Sequence, residues 1–130
     1  MTTILLDTHA VHWWSAEPGR LSSTAAEAID AAGELAVSAI TWYELARLAR
    51  HERIEVSTPV RAWLREIARD VRTVGITPAV ADTAVALSSA FPGDPADRLI
   101  YATAVENGWR LVTKDHKLRR YRHPRKITIW

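Results

Sequence analysis

No cysteine occurs among the 130 residues, which excludes a disulfide framework, cysteine-ligated zinc and thiol catalysis. Apolar stretches of membrane-spanning length are also missing, and the opening MTTILLDTH has neither a basic segment nor an apolar run long enough for a secretory signal. A cytoplasmic protein with no membrane partner is therefore expected. Nor is there a large excess of one charge. The formal net charge is +2, so the chain as a whole is not a polycation that would hold nucleic acid by bulk attraction. Low-complexity tracts and internal repeats are absent too.

What remains is the composition of an ordinary globular protein, with 48% hydrophobic and 25% charged residues. A chain of this length makes one domain, residues 1–130, and buries roughly two thirds of its unfolded surface. Positive charge gathers near the end, in Lys114, Lys117, Arg119, Arg120, Arg122, Arg125 and Lys126, leaving room for a local basic patch. Six tryptophans are many for this length, and their default place is the core.

Short apolar runs alternate with helix-like patterns. Thr3 to Leu6 reads as a buried parallel strand that ends at Asp7 and turns into a helix over His9 to Trp14. Ser22 or Ser23 caps a second helix ended by Gly33, and Leu35 to Val37 is a strand. Ala39 to His51 shows three- and four-residue apolar spacing, with Glu44 in its first turns. Two further helices begin with proline at the first helical position, at Pro59 behind Ser57 or Thr58 and at Pro78 behind Thr77, with a strand at Thr73 to Ile76 between them. Pro95 to Asn107 forms a helix closed by Gly108, feeding the strand Arg110 to Thr113. A basic helix, DHKLRRYR, then leads through Pro124 to a strand candidate in KITIW. This alternation predicts an α/β sandwich around a parallel sheet.

In such sheets ligands bind beyond the carboxyl ends of the strands, where strand order reverses. Asp7 and Asp115 both fall at strand ends, where each also makes a good helix cap. Glu44 lies inside a helix, and a solvated position or a pair with Arg47 or Arg50 would account for it. Asp94 and Asp97 flank Pro95 as N-cap and N3, a capping-box-like arrangement that explains both without chemistry. No single acid decides the matter. Together they place carboxylates at one edge of one sheet, where two of them ~4 Å apart repel by up to about 4 kcal/mol, so the set must take up protons or cations. Oxygen donors without nitrogen or sulfur favour Mg²⁺ or Mn²⁺.

The order of these acids resembles that of PIN-domain ribonucleases of the VapC toxin type. LLDTHAVHWW is similar to the family's first strand with its acid at Asp7, SAITWYELA to the helix with the second at Glu44, DPADRLIYATA to the segment with the third at Asp97, and LVTKD to the strand end with the fourth at Asp115. The match spans essentially the whole chain. One departure is Tyr43 directly before Glu44, where relatives often carry tryptophan, here displaced to Trp42. The resemblance implies a three-layer α/β/α sandwich with about five parallel strands, Mg²⁺-dependent endonucleolytic cleavage of RNA, a homodimer, and inhibition by a cognate VapB-type antitoxin. On that basis Asp7, Asp97 and Asp115 are the expected metal ligands, with Mn²⁺ as a substitute, and Glu44 is the expected partner of the attacking water.

Secondary expectations attach to neighbouring residues. Thr8 or Thr113 would bond a metal-bound water or a carboxylate, the plainer expectation being a strand-end or capping threonine, and Arg98 would meet phosphate, pair with an acid or lie on the surface. His9, His12 and His116 raise a weak zinc reading without any HExxH pattern, and His116 is better placed for substrate. Trp13 and Trp14, adjacent on a helix, cannot face the same way, so one is expected at a dimer or antitoxin surface. Two alternatives stay open: a catalytically inert PIN-like RNA-binding or regulatory module, and a receiver-like phosphoacceptor.

Overall fold

A computed structural model describes residues 2–121 and 125–130. Its centre is a five-stranded, all-parallel sheet in the order β3-β2-β1-β4-β5, formed by β1 (Thr3–Leu6), β2 (Glu34–Ser38), β3 (Arg72–Val74), β4 (Arg110–Val112) and β5 (Thr128–Ile129). Seven α-helices cover it among the described residues: α1 (Thr8–Ala16), α2 (Ser23–Ala31), α3 (Ala39–Arg50), α4 (Val60–Ala68), α5 (Pro78–Ala86), α6 (Pro95–Asn107) and α7 (His116–Arg120). This is the expected three-layer α/β/α sandwich.

Period-two alternation along each strand feeds both layers. Ile4, Leu6, Val37, Val112 and Ile129 point into a core with Val11 of α1, Ile29 of α2, Leu45 of α3 and Ile67 of α4. Leu5, Ala36 and Leu111, one residue out of phase, pack on the other face with Ile100 and Tyr101 of α6 and Leu118 of α7. Strands buried on both faces must be apolar at nearly every position, which is why TILL and RLV stand out in the sequence.

Helix boundaries follow local chemistry. Ser22 caps α2 and Thr77 caps α5, each side chain accepting a backbone N–H, with Pro78 at the first helical position as expected. Gly108 ends α6 in the left-handed conformation at φ 68°, which a residue without a Cβ adopts freely. Three expectations are corrected. Pro59 is the N-cap of α4 rather than its first residue, and neither Ser57 nor Thr58 caps it. The third strand runs Arg72–Val74, earlier and shorter than Thr73 to Ile76, because its register is set by pairing with Ala36, Val37 and Ser38. The α2 helix stops at Ala31 before reaching Gly33, whose N–H instead bonds the Thr2 carbonyl. Arg122 and Pro124, assigned above to the basic segment and the turn after it, lie outside the described residues.

The topology places a crevice. From β1 the chain moves to β2 and β3 on one side, while β4 and β5 occupy the other, so the strand order reverses between β1 and β4. Their carboxyl ends are locked together by the Asp7 N–H, which donates to the Val112 carbonyl at 3.1 Å.

Candidate active site

Asp7 and Asp115 stand at the two lips of that crevice. Asp7 caps α1, its carboxylate accepting the Ala10 N–H at 2.8 Å, and Asp115 caps α7 by accepting the Lys117 N–H at 2.8 Å. Capping and facing the crevice are therefore not alternatives. One oxygen ties each carboxylate to its helix, and the tie fixes where the group sits. Thr113, fully buried at the end of β4, links the two: its hydroxyl accepts the Asp115 N–H at 3.1 Å and hydrogen-bonds the Asp7 carboxyl.

Glu44 arrives from α3. Neither Arg47 nor Arg50 pairs with it. Its carboxylate accepts a short hydrogen bond from the Thr8 hydroxyl, which also contacts the Thr41 hydroxyl at 3.3 Å. Of the two threonine expectations, both thus turn out to concern carboxylates.

The aspartates around Pro95 divide. Asp94 caps α6, accepting the N–H groups of Ala96 at 2.8 Å and Asp97 at 3.2 Å. Asp97 does not complete a capping box. Its carboxylate makes no hydrogen bond among the described residues, and it lines the same cleft as Asp7, Glu44, Asp94 and Asp115. That cleft has a volume of about 1440 Å³.

The electrostatics report the convergence. Burial, followed by the charges of Asp94, Asp115, Glu44 and Asp7, pushes Asp97 up to about 7. Asp7 is also raised, chiefly by burial, against the opposing effect of its bonds to Thr113 and the Ala10 N–H. Unpaired carboxylates brought together out of water favour the protonated form unless a cation joins them. Among the described residues no three acidic or histidine side chains stand close enough to cage one ion by themselves. An all-oxygen, open set of this kind still suits Mg²⁺, which keeps several waters and binds through one or two carboxylates plus substrate phosphate.

Other expectations are settled differently. Arg98 pairs with no acid among the described residues. Its guanidinium donates to the carbonyls of Pro92, Ala84, Leu87, Ser88 and Phe91 at 3.1 to 3.3 Å, stapling the segment between α5 and α6 with all five N–H groups. Nothing in DRL signals this, because the five acceptors are brought together only by the loop's fold. The zinc reading finds no support: His12 is buried with its Nε2 3.6 Å from Glu17 Oε2, and burial lowers its pKa. His9 lies against Trp13 at 5.6 Å between ring centroids. His116 does line the cleft. Of the adjacent tryptophans, Trp13 is buried against Trp130, and Trp14 is half-buried on the core of α1, so neither is freely exposed. The displaced aromatic pair is resolved by Trp42, which packs and bonds Thr73 at 3.0 Å, while Tyr43 is 62% exposed.

Fold and cleft together define an α/β protein with an acidic crevice at the switch point of a parallel sheet. The chain belongs to the PIN domain family, whose model matches residues 4–124. It is 67% identical to Ribonuclease VapC22 of Mycobacterium tuberculosis over 130 residues, covering all of both chains, so the expected kinship with VapC-type proteins holds. Among solved structures it is similar to VapBC2 of Rickettsia felis bound to a promoter DNA fragment, with a TM-score of 0.71 and 15% identity over 98% of this chain and 97% of that one. It is also similar to VapBC-1 of nontypeable Haemophilus influenzae, at TM-score 0.67 and 16% identity over 89% of each chain. A toxin-antitoxin complex from Klebsiella pneumoniae follows at TM-score 0.65 and 24% identity over 88% of each. At these identities the structural likeness concerns the fold. Membership of this family removes the receiver-like alternative.

Proposed function

We propose that the protein is a metal-dependent endoribonuclease acting as the toxin of a toxin-antitoxin pair in the cytoplasm. The observation that carries this reading is the convergence of Asp7, Glu44, Asp97 and Asp115 in one crevice, with Asp97 held at about 7 by burial and neighbouring carboxylates. Support comes also from the full-length relative named as a ribonuclease. Among the described residues no helix is long and apolar enough to cross a membrane, in keeping with that location.

Asp7, Asp97 and Asp115 are the residues that would hold Mg²⁺, or Mn²⁺ in its place. When bound, the metal supplies a more acidic water and neutralises charge on the scissile phosphodiester. Glu44, oriented by Thr8, takes the proton of the attacking water. Asp7 and Asp115 keep their geometry through catalysis because each is anchored to a helix N-terminus. Asp97, whose carboxylate makes no hydrogen bond among the described residues, is the acid whose charge must be matched before the crevice can accept a phosphate.

A VapB-type antitoxin and a homodimer complete the proposal, the former supported by the similarity to the toxin-antitoxin complex from Klebsiella pneumoniae and to VapBC-1 of Haemophilus influenzae. The test is cleavage of a structured RNA in Mg²⁺, in EDTA, and by Asp97→Asn. Cleavage in Mg²⁺ alone is expected; activity in EDTA, or full activity of the variant, overturns the metal mechanism. Light scattering of the free and antitoxin-bound protein checks the dimer.

A further inference from the structure

The crevice holds charges of both signs, and apart from Arg20 with Glu17 its cations form no ion pair with its carboxylates among the described residues. Arg20, Arg47, Arg53, Lys114 and Lys117 line it together with Asp7, Glu44, Asp94, Asp97 and Asp115 and with Glu17 and Glu55. Among the described residues the ion pairs are His12 with Glu17, Arg20 with Glu17, and Arg72 with Glu34, and none involves Asp7, Glu44, Asp94, Asp97 or Asp115. In an open, hydrated cleft pairing opposite charges gains little, so a modest competing attraction is enough to keep a cation away from the acids.

On one wall that attraction comes from Trp13. The Arg20 guanidinium carbon lies 4.7 Å from its ring centroid, and the Lys114 ammonium 5.5 Å. Both are within the range in which an aromatic face attracts a cation. The ring itself cannot follow them. It is 7% exposed and braced by His9 and by Trp130, whose ring centroid is 5.9 Å away. Arg20 is delivered by the tight 3₁₀ turn Pro18–Arg20 behind α1, and Lys114 by its place between Thr113 and Asp115, whose N–H bonds the Thr113 hydroxyl, so both cations are presented beside the acids yet tied to an apolar mount. Arg20 keeps only an exposed contact with Glu17 at 3.8 Å, and Lys114 has no carboxylate within 4.0 Å among the described residues.

We infer that Trp13, Arg20 and Lys114 form a phosphate-gripping rim: the tryptophan holds the two cations off Asp7, Glu44, Asp97 and Asp115 so that they bind backbone phosphates of single-stranded RNA adjacent to the phosphodiester at those acids. This rests on the ribonuclease reading and adds to it the residues that hold the strand. A phosphodiester chain suits the arrangement because it carries regularly spaced anions past a point where one of them meets the metal-binding acids. Arginine offers phosphate a planar fork, and lysine a point charge. Trp13 is a positioning residue here, and Arg20 and Lys114 are binding residues.

The test uses the full chain carrying Asp97→Asn, in Mg²⁺, and the anisotropy of a labelled single-stranded RNA over a salt series. Arg20→Ala and Lys114→Ala should each weaken binding irrespective of RNA sequence and reduce the slope of log K against log salt by about 0.7, and the double variant by about 1.4. Arg110→Ala removes the same charge at the amino end of β4, outside the crevice, and should leave the slope unaltered. Trp13→Leu should reproduce the double variant while Trp13→Phe retains most of the slope; if Trp13→Leu melts at the assay temperature, the two cation variants decide alone. Unaltered slopes for Arg20→Ala and Lys114→Ala, or an equal effect of Arg110→Ala, overturn the rim. So does a loss of affinity confined to polyglutamate, which would mark a peptide site. Cleavage by the wild-type chain is measured separately: cleavage with unaltered slopes leaves the ribonuclease without the rim, whereas rim-dependent binding without cleavage leaves the rim without the ribonuclease.

Discussion

The Thr8 hydroxyl at the first position of α1 donates to the Glu44 carboxylate on α3, across a separation of 36 residues. This bond fixes Glu44, which lies within α3 and is anchored by no helix terminus. Thr8→Val removes the donor at nearly constant volume, and a hydrogen bond to a charged group contributes about 1.5–3 kcal/mol. It should lower kcat roughly ten-fold or more with little effect on KM. Thr8→Ser should restore most of the rate, and steady-state kinetics on one RNA checks both.

Asp94 and Asp97 should separate by substitution. Asp94→Ala loses the cap of α6 and should cost about 1 kcal/mol in urea unfolding while sparing much of the cleavage. Asp94→Asn keeps the cap, since asparagine caps as well as aspartate. It removes the neighbouring charge that contributes most, after burial, to raising Asp97. The acid limb of its pH–rate profile should therefore move to lower pH at constant Mg²⁺. A limb that stays in place would separate Asp97 from the rate.

Stability should depend on pH with a definite sign. Folded Asp97 keeps its proton up to about pH 7, whereas its ordinary value is 3.8. Between these values the folded state binds more protons than the unfolded one, so the contribution of Asp97 falls as pH rises through this window and then levels off. Asp7, shifted in the same direction, adds to the effect. Asp97→Asn should raise Tm at pH 8, by about 3–5 °C for each kcal/mol of relieved repulsion, with the gain shrinking toward pH 4. Mg²⁺ should raise the wild-type Tm at pH 8 more than that of the variant, and EDTA should abolish the difference. Calorimetry across the pH series reads all three.

Arg98 should act through stability. Its five hydrogen bonds hold the carbonyls between Ala84 and Pro92, and Arg98→Ala should cost roughly 2–4 kcal/mol of unfolding free energy. Lysine has three donors rather than a five-donor fork, so Arg98→Lys should recover less than half of the loss. Wild-type stability in Arg98→Ala by urea denaturation would contradict the staple.

Much of the architecture was legible because it rests on local rules. Apolar runs such as TILL and RLV are required where a parallel strand is covered on both faces, and Thr77-Pro78 and Asn107-Gly108 mark helix ends through short-range hydrogen bonding and a left-handed residue. Where a strand boundary slipped, at Arg72–Val74, the deciding contact lay on another element. The four acids could be named because their order along the chain resembles a family pattern, not because any one is locally distinguishable from a cap.

By itself, then, the sequence determined which segments become strands and helices and which carboxylates terminate them, since these depend on side chains within a few residues of one another. Only the tertiary structure decided what those carboxylates experience. The reversal of strand order between β1 and β4 brings Asp7 and Asp115 to one crevice, α6 turns Asp97 into it with no hydrogen bond to its carboxylate among the described residues, and Thr8 holds Glu44. Burial and mutual repulsion act through space at distances the chain order does not encode. For the same reason Arg98 became a staple and Lys114 a cation mounted on Trp13, roles that exist only once distant segments meet.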